Sequence, residues 1–369
     1  MGRLGRLTHA AKGRLIVMNW LLLFVPVAVG VEILAPERYL LVFATSALAI
    51  LPLAGWMGRA TEQLAERMGE GVGGLLNATF GNATELIIAL VALHAGLHDV
   101  VKASIAGSIV GNILLVLGAS MLAGGLRHPE QHFNPAGARS QATMLTLAAI
   151  ALILPAAFQA TTGATAESLG RLSVSISVVL LVVYLLSLAF ALITHPALFA
   201  GSHAPEEGAS KPAVGRAAVM LGAATVGVAW MSEIMVGGIE PTAHELGLSN
   251  VFVGVFVVAI LGNAAEHATA VTAAMRDRMD LALSIAIGSS VQIALFVAPV
   301  LVLASLFIGP APMDLAFPAG LVLTVLLAVL ITGQVAGDGR SDWLKGVQLL
   351  AVYLVLALTF FFLPGVTSH

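Results

Sequence analysis

Apolar positions in this chain fall in long unbroken runs, and polar residues gather in short clusters between them. A stripe of period 3.6, the mark of a surface helix of a soluble protein, is missing from most of the length. A run of about 20 apolar residues matches the hydrocarbon thickness of a bilayer when it is helical. Helices satisfy their own backbone groups in lipid, which open sheets cannot. The runs predict eleven transmembrane helices, at about 15–34, 38–59, 71–97, 100–125, 140–160, 169–194, 213–238, 248–275, 279–308, 313–335 and 343–364. Most connecting loops are short. The longest polar one, 195–212, is rich in Pro, Gly and charge and divides the chain into halves.

Composition agrees with this pattern. Hydrophobic residues make up 59% of the 369 positions and charged residues 10%, against roughly 25% charged in ordinary soluble domains. One membrane domain spanning the chain is expected, with the lipid bilayer as its solvent and no soluble domain. The absence of cysteine excludes disulfides and thiolate metal sites. A formal net charge of −3 suggests no nucleic-acid partner. The basic segment MGRLGRLTHAAKGR precedes the first run, which is long enough to span and lacks a clear small-residue cleavage site. A retained first helix is therefore expected rather than a removed signal peptide.

Eleven spans put alternate loops on alternate sides. Of the 17 Lys and Arg residues, only Arg38, Lys102 and Arg171 then fall on the side opposite the N-terminus. Positive loops stay cytoplasmic, so the N-terminus and the 195–212 loop are predicted to be cytoplasmic and the C-terminus external. The membrane would be the cell or inner membrane in a prokaryote and a vacuolar or other organelle membrane in a eukaryote.

The halves repeat. Gly81-Asn82-Ala83-Thr84-Glu85 matches Gly262-Asn263-Ala264-Ala265-Glu266 at an offset of 181. The same offset pairs Ala89 with Ala270, Ala92 with Ala273, Gly107 with Gly288, Ser108 with Ser289 and Val110 with Val291. The matched strings lie on the third and eighth spans, five apart. An odd separation sends the copies through the membrane in opposite directions. This is the inverted-repeat build of transporters that bind substrate near the midplane.

Glu85 and Glu266 both lie near mid-span. An intramembrane carboxylate is costly and marks function by default; the alternative is a protonated, hydrogen-bonded structural residue. Gly81 and Gly262 are expected to break their helices and free carbonyl oxygens beside each glutamate. Asn82 and Asn263 precede the glutamates by three residues, on nearly the same face. Carboxylates, amide oxygens and carbonyls are the ligands of a hard cation, and Ca²⁺ takes six to eight of them in a flexible shell. No histidine cluster argues for zinc. Two ionised glutamates give a poorly solvated site two negative charges, which desolvation and mutual repulsion disfavour. One Ca²⁺ or two protons neutralise it, and a carrier that crosses only when loaded is an antiporter. Ser108 with Asn112 on the fourth span, and Ser289 with Gln292 on the ninth, form a second tier. The serines serve either helix packing or the ion; Asn112 and Gln292 are the better candidates for ligand or pathway groups.

The strings GNATELIIALVAL (81–93) with GSIVGNILLVLG (107–118), and GNAAEHATAV (262–271) with GSSVQIALFVAP (288–299), resemble those of the calcium/proton exchanger (CAX) family of the cation/Ca²⁺ exchanger superfamily. The resemblance extends over nearly the whole chain. It implies one leading helix (15–34) and two inverted five-helix repeats (38–194 and 213–364). It implies Glu85 and Glu266 as metal ligands, with Asn82, Asn263, Ser108, Ser289 and Gln292 around them. It also implies alternating access, with the leading helices of each repeat sliding past the core. The family's central acidic segment corresponds here only to Glu206 and Glu207, and the N-terminus is short for an autoinhibitory tail.

Four further residues are pathway candidates. Glu62, Glu233 and Glu240 sit near span ends, where a solvated interfacial carboxylate is the alternative. His267 follows Glu266 and is either a proton relay or a plain hydrogen-bonded histidine. The function expected is exchange of Ca²⁺ for protons with no cofactor, Ca²⁺ being the substrate, and homo-oligomerisation is left open. The alternative is a Na⁺/Ca²⁺ or other divalent exchanger of the same superfamily. Such proteins carry Gly-Thr-Ser-x-Pro-Glu or Asp strings, which this chain lacks. An intramembrane enzyme would need a nucleophile–base pair or a histidine cluster in the spans, and neither is present.

Overall fold

The computed structural model describes residues 20–195 and 214–362. Among these the backbone is helical almost throughout. The helices are α1 (Leu21–Leu34), α2 (Tyr39–Phe80), α3 (Ala83–His94), α4 (His98–Gly125), α5 (Pro135–Thr162) and α6 (Ala166–Thr194). Beyond residues 196–213 come α7 (Val214–Gly237), the short α8 (Ile239–Glu245), α9 (Asn250–Ala274), α10 (Met279–Ala304), α11 (Ala319–Gly337) and α12 (Trp343–Phe361). Nine described helices are long and apolar enough to cross a membrane, and α1 and α3 are shorter apolar helices. The expected loop at 195–212 lies, apart from His195, outside the described residues.

One stretch differs from the sequence expectation. The polar segment RATEQLAER (59–67), expected to part the second and third spans, continues α2 as helix. Its Ala, Glu, Gln, Leu and Arg residues are strong helix formers, so polarity alone does not break it. The 42-residue α2 is nevertheless not a straight rod. Gly73 packs against the backbone carbonyl of Ala65, eight positions earlier, a separation of about 12 Å along a straight helix. The chain therefore doubles back in the glycine-rich GEGVGG segment (69–74). It turns again at Gly81 and Asn82, where α3 begins.

Small residues let the central helices approach closely. Gly107 on α4 meets the backbone of Val255 on α9, and a Cβ on Gly254 would lie 2.6 Å from the Ala103 Cβ. In lipid, where apolar faces gain nothing from leaving the solvent, such backbone approach is what holds helices together. The most apolar window of α4 is 83% buried and those of α6 and α12 only 17%, so α4 is central and the other two form the rim. α2 packs along α7, where Leu53 covers Gly227 and the Thr225 hydroxyl donates to the Met57 sulfur at 3.5 Å.

Two ties close the ends. At one, β1 (Gln131–His132) pairs antiparallel with β2 (Arg340–Ser341). Beside it Lys345 Nζ donates to Asp338 Oδ2 at 2.7 Å and holds that carboxyl below the usual carboxylate range. At the other, the segment 305–318 straps over the ends of α3, α4 and α6. Gly309 sits on the Leu93 carbonyl, Leu315 N donates to Ser173 Oγ at 3.0 Å, and buried Lys102 donates to Asp314 Oδ1 at 2.8 Å and the Ala316 carbonyl at 2.9 Å.

Candidate functional site

Four chain segments bring the polar residues of the two matched strings together. Asn82 forms the entry to α3 and Glu85 stands in its first turn, where the helix dipole favours a carboxylate. Asn263, Glu266 and His267 lie on α9. Ser108 and Asn112 come from α4, and Ser289 and Gln292 from α10. Immediately at or after these residues both α4 and α10 widen into π turns, Gly111–Val116 and Ile293–Val297, and α9 has one at Val253–Val258. Such bulges recur at functional sites, since they re-aim side chains from an otherwise regular helix. The sequence pattern gave no sign of them.

The two glycines serve close approach. A Cβ on Gly262 would lie 2.9 Å from Cγ of Glu85, and one on Gly81 would lie 3.8 Å from Oε1 of Glu266 and 3.6 Å from Oε1 of Gln292. Each string's glycine thus faces the glutamate of the other string. The backbone does turn at Gly81. The expected break at Gly262 is not there: α9 runs unbroken through it. The physical reason is that Gly262 gives room to the Glu85 side chain, which an intact helix can do.

A hydrogen-bond network joins the second tier. Asn82 Nδ2 donates to Gln292 Oε1, and Ser289 Oγ donates to Asn82 Oδ1 at 2.8 Å. Asn112 Nδ2 donates to Ser289 Oγ at 3.0 Å and, at 3.4 Å, to Asn263 Oδ1. Asn263 Nδ2 donates to Ser108 Oγ at 3.0 Å and to the Ala259 carbonyl at 2.9 Å. His267 Nε2 lies 3.2 Å from Asn112 Oδ1. The amide oxygens of Asn82, Asn263 and Gln292 each accept one hydrogen bond, and that of Asn112 faces His267, which leaves each a second lone pair.

The carboxylates are different. Both oxygens of Glu85 and Oε2 of Glu266 are buried and have no hydrogen-bond partner. A buried polar atom without a partner costs free energy and calls for an explanation. Glu85 is 7% exposed, whereas Glu266 is half-buried. On that side an open surface groove of about 470 Å³ runs along one face of α9, lined by Ala264, His267, Ala268, Val271, Thr272 and Met275. No group of three His, Asp or Glu residues that could hold a metal occurs among the described residues. Glu62, Glu233 and Glu240 stand exposed; Glu62 is near Arg59, and Glu240 Oε1 accepts from Asn250 Nδ2 at 3.3 Å.

The model of the sodium/calcium exchanger protein family matches residues 38–193 and 216–362. The chain belongs to that family. Among exchangers with a curated description, it is 49% identical over 340 residues to a protein of Synechocystis named Ca²⁺/H⁺ antiporter, covering 88% of this chain and 91% of that one. It is 46% identical over 364 residues to a Ca²⁺/H⁺ antiporter of Aphanothece halophytica, covering 94% and 96%. The solved structure of the Ca²⁺/H⁺ antiporter protein YfkE superimposes with a TM-score of 0.79 at 39% identity, over 93% of this chain and 100% of that one. Motifs and relatives agree on the branch of the exchanger family: the chain is a CAX member.

Proposed function

We propose that this exchanger is a secondary antiporter that moves Ca²⁺ out of the cytosol, for export or sequestration, in return for protons. The observation that carries the reading is the set of three buried, unpartnered carboxylate oxygens of Glu85 and Glu266. They are hard acceptors of the kind Ca²⁺ takes, and they are also the site's proton acceptors. A divalent ion and two protons neutralise the pair equally, so the same oxygens can carry either load. Only two carboxylates hold the ion, which suits a cargo that must be released. The names of the 49% and 46% identical relatives point to the same exchange.

The finer architecture belongs to the same reading. One leading helix and two inverted repeats, 38–194 and 213–364, make eleven spans. The reversal between Ala65 and Gly73 supports this count, because it supplies the turn between the second and third spans. The excess of Lys and Arg on one side makes the N-terminus cytoplasmic. The groove along α9 ends at Met275, next to Arg276 and Arg278, so it would be the cytosolic entry. α2 and α7 would move together against the core during alternating access, as their mutual packing suits.

Radiolabelled Ca²⁺ uptake into proteoliposomes, in sodium-free medium, tests the reading. An imposed pH gradient, acid inside, is expected to drive uptake, and collapsing the gradient is expected to stop it. Uptake that needs sodium and ignores the pH gradient would replace this reading with sodium/calcium exchange.

A further inference from the structure

The ends of α4 and α9 lie against each other. A Cβ on Gly124 would stand 3.0 Å from the Ala274 carbonyl, and Gln131 Nε2 donates to that same carbonyl at 2.8 Å. Three arginines stand just past this contact: Arg127 after α4, and Arg276 and Arg278 in the turn between α9 and α10. All three are exposed, and none forms an ion pair among the described residues. Other cations of this end are paired: Arg340 with Glu130 at 3.3 Å, and Lys345 with Asp338 at 2.7 Å. The two carboxylates of the α9–α10 corner are held by other donors. Asp277, between two of the arginines, has a φ of 60°, a left-handed conformation uncommon outside glycine, and its Oδ1 accepts from Gln131 Nε2 at 2.9 Å. Asp280 Oδ1 accepts from the Asn134 backbone N–H at 2.7 Å.

We propose that Arg127, Arg276 and Arg278 form a binding site for the phosphate headgroup of an anionic phospholipid in the cytosolic leaflet. The inference rests on the antiport reading for its sidedness and for its effect on Ca²⁺. Guanidinium groups offer phosphate oxygens paired donors in a fixed fork, and basic residues at the ends of membrane helices attract anionic lipid. The surroundings select a lipid over a soluble anion. Leu126, beside Arg127, is 72% exposed, and Met275, beside Arg276, is half-buried. Apolar side chains in that place suit acyl chains, as the arginines suit the headgroup. The site also bears on transport, because the groove along α9 ends at Met275. Counting Asp277 and Asp280 with the three arginines, this mouth keeps one net positive charge. That charge repels Ca²⁺ over about 8 Å, the screening length at physiological salt. A headgroup carrying one negative charge cancels it, so the bound lipid favours Ca²⁺ entry.

Native mass spectrometry of the detergent-purified protein, titrated with phosphatidylglycerol or phosphatidylcholine, reads the site without transport. Wild type is expected to retain phosphatidylglycerol at about tenfold lower lipid concentration than phosphatidylcholine, the order set by a few basic residues at a membrane surface. Equal retention of the two lipids would overturn the proposal. Arg127→Gln, Arg276→Gln and Arg278→Gln combined are expected to abolish the preference, and a preference that survives them would overturn it as well. Should the combined variant fail to fold, each single change is expected to lower the preference about threefold; an unchanged preference in all three would be just as contrary. Transport gives the second readout. Phosphatidylglycerol concentrates Ca²⁺ at any vesicle surface, so wild type and the combined variant are compared in the same vesicles. Adding phosphatidylglycerol to phosphatidylcholine is expected to lower the KM for Ca²⁺ about threefold more in wild type than in the variant. An equal fall in both would overturn the role at the entry. Wild-type protein that shows no pH-driven uptake in either vesicle would instead refute the antiport reading and leave the lipid measurement standing.

Discussion

Gly262 and Glu85 touch across the two matched strings: a Cβ on Gly262 would stand 2.9 Å from Cγ of Glu85. Any side chain there must displace the glutamate that the site depends on. Gly262→Ala is expected to raise the KM for Ca²⁺ about tenfold, since overpacking of this size costs about 1 to 3 kcal/mol. Gly222 on α7 has nothing within 4 Å of the equivalent position, and Gly222→Ala is expected to transport as wild type. Equal transport by both variants would mean that the close approach is not used.

The strap over the far end rests on an ion pair. Lys102 is buried at 8% exposure, and its ammonium is held by Asp314 and the Ala316 carbonyl. Lys102→Met removes one partner and leaves the other short of a donor, which in buried pairs costs about 3 to 5 kcal/mol. Asp314 is about one-third exposed, so about 2 kcal/mol is expected here. Thermal unfolding in detergent should show a lowered midpoint. An unchanged midpoint would show that the strap holds without the pair.

Orientation can be read by labelling, because the chain has no cysteine of its own. Thr161 near the end of α5 and Arg276 after α9 are both exposed. Single cysteines at these positions are expected to react with an impermeant thiol reagent from opposite faces of the membrane, Arg276→Cys from the cytosolic one. Reaction from the same face would refute the eleven-span arrangement.

The helices were readable because each long apolar run has one stable solution in lipid. Glu85 and Glu266 were readable because carboxylates are rare there and these two recur in a matched string. What stayed hidden had no periodic signal. RATEQLAER was polar enough to suggest a loop, yet its residues favour helix, and the reversal moved to the glycines that follow. Gly262 and Gly81 look alike in sequence, but one faces a neighbouring glutamate from an intact helix and the other sits at a turn. The π turns in α4, α9 and α10 depend on packing between helices. Glu62, Glu233 and Glu240 could not be sorted from their sequence positions near span ends. Their exposure leads to the expectation that Glu→Gln at each leaves Ca²⁺ uptake within about twofold of wild type, the small effect usual for surface substitutions. A loss beyond tenfold at any of them would place that residue on the ion's path.

The central claim is that Glu85 and Glu266 share one load, either Ca²⁺ or protons. Its most direct test is Ca²⁺ flux in vesicles across a pH series for wild type, Glu85→Gln and Glu266→Gln. In wild type, Ca²⁺ binding should weaken as pH falls, because protons take the same oxygens, and binding should release protons. Each Gln variant keeps the size of the side chain but removes one negative charge and one exchangeable proton, so pH-driven exchange should fall to background even where some binding survives. Exchange at the wild-type rate and with the wild-type pH dependence in either variant would contradict the account.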